Sequence, residues 1–132
     1  MFNLLKRGAA VLTLLWGMPM VYAQQATEIY IPVGKSAGLS GKYTSMGKIS
    51  AVNAHDQILT VTDSAGAHNV QITPRTKIWL DKSNLRLTNQ KGTFEDLEKD
   101  LQVEVKYEGN QRKEMGPAEW IKVRVTAPPG RN

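Results

Sequence analysis

The residues with the most chemical potential are two histidines, an Asp-Ser-His cluster, one glycine-flanked lysine and a set of aromatic and cationic side chains near the C-terminus. His55 and His68 are the only histidines in the chain. In a hairpin they would flank one strand, and six residues at ~3.3 Å each would hold them about 20 Å apart, too far to share a metal ion. Both read as surface turn residues. Asp63, Ser64 and His68 invite a hydrolase reading, but a serine nucleophile needs an ordered base, an oxyanion pocket and a group that orients the base. A hairpin tip offers none of these. Ser36 to Tyr43 (SAGLSGKY) has the flavour of a phosphate loop, yet Ser36 stands where the first glycine is needed and Tyr43 where Ser or Thr must follow the lysine. Glu95, Asp96 and Glu98 sit where the first turn of a short helix starting at Thr93 would place them, so they serve the helix dipole. The most suggestive set is Trp79, Lys106, Trp120, Lys122 and Arg124. Aromatics interleaved with cations on an exposed sheet face can stack bases or sugar rings, although Glu104 paired across strands with Lys122 or Arg124 would make the same face an ordinary solvated one.

These residues must be held by a small scaffold. The chain has 132 residues, 17 Lys+Arg against 12 Asp+Glu, and no cysteine. Lys6-Arg7, the apolar run Ala9 to Gly17 and the small residues of Val21-Tyr22-Ala23 form the pattern of a cleavable export signal covering 1–23, cut after Ala23. Pro19 and the Gln24-Gln25 pair close the apolar run before the ~20 residues that a spanning helix requires. Removing Lys6 and Arg7 lowers the net charge from +5 to about +3, which argues against nucleic acid as a ligand. An exported domain of this size without disulfides depends on its core, and the zero cysteine count points to a bacterial periplasm or exterior.

Residues 24–42 contain Gly34, Gly38 and Gly41 and only one apolar patch, Ile29-Tyr30-Ile31-Pro32-Val33. They read as an extended, flexible arm whose Ile29, Tyr30, Ile31 and Val33 could add to a partner's sheet edge. From Tyr43 onward, short alternating runs separated by turn residues predict strands over 43–53, 57–63, 67–73, 76–80, 101–107 and 118–126. Gly47 inside the first run marks a bend or bulge, and Pro74 ends the third strand. Alternation puts Val70, Ile72, Ile78, Leu80, Ile121 and Val123 inward and Trp79, Trp120, Lys122 and Arg124 outward. The whole reads as all-β with one short helix, a five- to six-stranded OB-like barrel over 43–126 preceded by the arm, with a loose tail at 127–132.

Gly47-Lys48-Ile49, Ile58-Leu59-Thr60-Val61, Val70-Gln71-Ile72, Thr76-Lys77-Ile78, Phe94-Glu95-Asp96-Leu97 and Val103-Glu104-Val105 follow one another in a recurrent order. On these packing motifs the stretch from Gly47 to Val125 resembles exported bacterial small β-barrel domains of unknown function. The resemblance implies a fold and a compartment and no reaction. The chain departs from it at Asp100-Leu101, where those domains have Gly-Asp, which leaves the turn before that strand in question. It is also similar in general shape to periplasmic copper-chaperone barrels, which implies Cu(I) binding through His, Met and an aromatic ring. After signal cleavage, however, only the isolated Met46 and Met115 remain, and soft-metal selectivity needs several converging ligands.

The sequence therefore points to a non-catalytic exported barrel that binds a partner protein or a cell-envelope component, with no cofactor and no metal site. The alternative is a ligand-binding module for oligosaccharide, single-stranded nucleic acid or a metal ion, centred on the exposed Trp/Lys/Arg face.

Overall fold

In the computed structural model, residues 27–126 are described; the predicted signal at 1–23 and the tail at 127–132 lie outside them. Seven strands form one sheet: β1 (Thr44–Asn53), β2 (Ile58–Asp63), β3 (Gly66–Gln71), β4 (Lys77–Asp81), β5 (Gln90–Lys91), β6 (Gln102–Tyr107) and β7 (Ala118–Arg124). Their order is β3-β2-β1-β6-β7-β4-β5. All neighbours are antiparallel except β4 and β7, which run parallel. The six predicted strands are all present. The seventh, β5, is two residues long and carries no alternation by which sequence could reveal it.

β1 is the long strand that serves both halves of the barrel. Residues 44–48 pair with β6 and residues 48–53 pair with β2. The register slips between Ile49 and Ala51, so the bulge expected near Gly47 lies further along the strand. Gly47 has a different reason to be glycine: a Cβ there would lie 2.3 Å from the Thr62 carbonyl oxygen. β3 and β4 are separated by a turn at Pro74 and pair with different neighbours, β2 and β7. Thr76 donates to the Thr73 carbonyl across the Pro74 turn, where proline has no N–H for a ladder. No continuous ladder closes the sheet. The free side of β3 is instead fastened to the segment leading into β7 by Gln71 N–H to Gly116 O, Met115 N–H to Asn69 O, and a bridge between Gln71 and Pro117.

Alternation fills the interior. Ile49, Leu59, Val61, Val70, Val103, Val105, Ile121 and Val123 are removed from water, with Ile72, Leu80 and Leu97 packed against them, each contributing ~1.5–3 kcal/mol by burial. The predicted helix at Thr93 is a single 3-10 turn, Phe94–Asp96. The Asp96 carboxylate accepts the Thr93 N–H at 2.7 Å, and Leu97 then leaves helical geometry to reach the core.

The segment before β1 is neither extended nor detached. Successive turns are closed by Tyr30 N–H to Thr27 O, Lys35 N–H to Pro32 O, Leu39 N–H to Ser36 O and Lys42 N–H to Leu39 O. Gly34, Gly38 and Gly41 adopt φ of +80°, +78° and +79°, so the glycines that suggest flexibility are the positions that turn the chain. Val33 and Ser36 are buried.

Candidate functional site

The outward faces of β1, β6, β7 and β4 place side chains in rows set by the register. Lys48, Gln102, Arg124 and Asp81 form one row; Met46, Glu104, Lys122 and Trp79 form the next; Thr44, Lys106, Trp120 and Lys77 form the third. Trp79 and Trp120 do share a face: their ring centroids are 5.6 Å apart at an interplanar angle of 30°. Lys122 Nζ lies 4.7 Å from the Trp120 centroid and 5.9 Å from that of Trp79. This is the aromatic and cationic cluster that the sequence picks out, and sequence alternation orients it correctly.

The cluster is buried and not exposed. Trp79 is 5% exposed, Trp120 3% and Lys122 0%, and the arm is bonded to Lys122, whose Nζ lies over both rings. Glu28 of the arm is the ion-pair partner of Lys122, with Oε1 2.7 Å from Nζ. The Ser36 hydroxyl bonds both Glu28 Oε1 and Lys122 Nζ. Glu104, also fully buried, accepts the Gly34 N–H at 2.9 Å and the Thr44 hydroxyl at 2.8 Å. It spends its oxygens on the arm and β1, so the expected cross-strand pair with Lys122 is replaced by two separate arrangements. Asp81 accepts the Val33 N–H at 2.8 Å and the N–H and hydroxyl of Ser83. Burial pushes the Asp81 carboxyl up, but the Ser83 hydroxyl, the Val33 and Ser83 amides and the Arg124 charge more than offset this and hold it below its ordinary value. A buried carboxylate is tolerated only when its lone pairs are filled in this way.

Two further predicted residues separate from the cluster. Lys106 is buried and bonds Glu119 at 2.9 Å. Arg124 reaches the rim of the arm, where Nη1 donates to Gln102 and Nη2 to the Val33 carbonyl. Its Nε, 3.8 Å from Asp81, is buried without a hydrogen-bond partner among the described residues. The arm residues are divided as well. Val33 is buried, the Ile29 carbonyl accepts from Asn89, Ile31 is half-buried, and Tyr30 remains 60% exposed. An edge-adding role for this stretch conflicts with these bonds to its own barrel.

Where the arm meets β1 and β6 an open cleft of about 470 Å³ remains, lined by Lys35, Lys48, Arg124, Thr62, Gln102 and Met46 with the backbone around Gly34 and Gly47. No carboxylate lines it, and no described residue forms an ion pair with Lys35 or Lys48. Sequence reasoning missed Lys35 and Lys48 because they lie on segments read as an arm and a bent strand, and only the folded-back arm brings them together.

No protein-family model and no curated protein sequence matches the chain. Among solved structures it is similar to silver-bound CusF, at 15% identity and a TM-score of 0.40, covering 61% of this chain and 93% of that one. A Cu(II) form of a tryptophan-to-alanine variant of CusF from Escherichia coli gives the same identity and TM-score, with 88% of that chain covered. Within this chain, no three His, Asp or Glu side chains converge as metal ligands among the described residues. No helix among them is long and apolar enough to cross a membrane.

His55 stays on the surface beside Asp56. His68 lies on the inward side of β3, two residues before Val70, stays 35% exposed and pairs through Nε2 with Asp63 Oδ1 at 3.3 Å. Its placement could have been found from the same alternation that put Val70 in the core.

Proposed function

We infer that the chain is a non-catalytic exported binding domain that holds an anionic group of a cell-envelope component in the cleft between the arm and strands β1 and β6. One observation carries this reading: Lys35, Lys48 and Arg124 converge on a concave surface whose remaining polar side chains, Thr62 and Gln102, are neutral. Cations in a cleft with low-dielectric walls focus their field on an incoming anion. Arg124 is held in place by Gln102 and the Val33 carbonyl, so part of its ordering cost is met before a ligand arrives. The buried Trp79–Trp120 pair does not line this cleft.

The test is calorimetric titration of the chain starting at Gln24 with short-chain inorganic polyphosphate, with soluble peptidoglycan fragments carrying carboxylates, and with neutral chito-oligosaccharide. Saturable binding of either anionic probe, weakened at least tenfold by Lys35→Glu with Lys48→Glu and by added salt, supports the reading. Which anionic probe binds tells phosphate from carboxylate as the recognised group. Binding of the neutral sugar alone, or anion binding indifferent to both charge reversals, contradicts it.

A further inference from the structure

At one end of the barrel the inward-facing positions stop being apolar. Ser45 on β1, Asp63 on β2, His68 on β3 and Tyr107 on β6 follow the inward alternation that elsewhere places Ile49, Val61, Val70 and Val105 in the core. Together with Arg112, Lys113 and Glu114 of the loop before β7 they line a cavity of about 330 Å³. Two of the four, Ser45 and Tyr107, are buried where valine or isoleucine could sit, and burying their hydroxyls costs desolvation, which calls for a reason beyond packing. Barrel mouths with a few convergent polar groups are common ligand sites.

The groups are ordered in advance. Ser45 and Tyr107 are 4% and 2% exposed and both line the cavity. Asp63 accepts the Ala65 N–H at 2.8 Å and engages His68 Nε2 at 3.3 Å. With Nε2 engaged by the Asp63 carboxylate, Nδ1 is the ring nitrogen left facing a ligand. Glu114 is fixed by the Asn69 N–H, and the loop is fastened by Met115 N–H to Asn69 O and Gly116 N–H to Lys113 O. Arg112 and Lys113 are exposed and have no ion pair with a described residue.

The mouth thus carries two carboxylates and two permanent cations. A simple anion would meet Asp63 and Glu114, and a simple cation would meet Arg112 and Lys113. A molecule bearing both charges at short range avoids either conflict. We propose that this open end of the barrel is a second binding site, for the zwitterion of a small α-amino acid, separate from the cleft beneath the arm. Arg112 and Lys113 take the carboxylate by charge-assisted hydrogen bonds. His68 Nδ1 and the Glu114 carboxylate take the ammonium hydrogens, and the Ser45–Tyr107 pair forms the polar floor.

The experiment is NMR titration of the chain from Gln24 with alanine, N-acetylalanine, alanine methyl ester and glucose, read at the His68 ring protons and the Arg112 and Glu114 amides. Saturable shifts with alanine are expected, with at least tenfold weaker binding of both blocked analogues. Arg112→Ala with Lys113→Ala is expected to weaken alanine binding at least tenfold while the thermal midpoint stays unchanged, since both side chains lie on the surface. No saturation with alanine, blocked analogues that bind equally well, glucose as the sole ligand, or an unaffected double variant would each overturn the assignment.

Discussion

Glu28, in the first described turn, and Lys122, 94 residues later on β7, form an ion pair of 2.7 Å whose side chains are only 13% and 1% exposed. The lysine also lies over the Trp120 ring, so the pair fastens the arm to the centre of the outer face. Breaking one side of such a pair leaves an uncompensated buried charge, which costs about 3–5 kcal/mol. Glu28→Gln is therefore expected to lower stability by ~3 kcal/mol in urea unfolding. Glu28→Gln with Lys122→Met, which removes both charges, is expected to recover most of the loss.

Asp100 adopts φ of +75° and its N–H bonds the Ile49 carbonyl at 2.7 Å. An L residue thus occupies the left-handed region at the turn before β6. Asp100→Gly is expected to relieve that conformation and raise stability by ~0.5 kcal/mol, part of the gain being offset by the freer unfolded chain. Chemical denaturation with an unchanged slope would show it.

Much of this architecture is legible in the sequence, for a simple reason. Val103, Val105, Ile121 and Val123 alternate with polar neighbours, and period-two patterning reports which side of a strand is buried. The same pattern correctly turned Trp79, Trp120, Lys122 and Arg124 away from the core. It could not reveal what covers them. The arm docks through main-chain N–H groups, Val33 to Asp81 and Gly34 to Glu104, and through single polar side chains such as Glu28 and Ser36. Such contacts leave no periodic trace, so a stretch rich in Gly and Ser reads as loose. The cationic cleft shares this origin, because one of its walls is the arm.

Asp81 supplies an acid-side signature. Its folded-state pKa is depressed below the ordinary 3.8, so its contribution is fully present above that value and is lost as pH falls through the folded-state pKa. Unfolding free energy measured from pH 6 down to pH 2 is expected to decline in the parent protein. Asp81→Asn should be less stable at pH 6 and show a shallower acid decline.

Tyr107 supplies the opposite limb. Burial pushes its phenol above the ordinary 10.0, reinforced by the Glu114 and Asp63 charges and only partly relieved by the Ser45 hydrogen bond and the Arg112 charge. A group whose folded-state pKa is raised contributes stability that is present below the unfolded value and lost as pH rises through the folded one. Stability is expected to fall above about pH 10, and Tyr107→Phe should flatten that fall, as followed by denaturant midpoints between pH 8 and 11.

The arm as a closed cover over the Trp79–Trp120–Lys122 cluster is the centre of this account, and tryptophan emission tests it most directly. In the chain starting at Gln24 only these two tryptophans remain, so selectively excited tryptophan emission reports on that face. A blue-shifted maximum with weak acrylamide quenching is expected, and cutting back to Tyr43 should shift it to the red and open it to quencher. A red, freely quenched emission from the arm-bearing chain would contradict the account, because the two rings would then stand in water as an open platform.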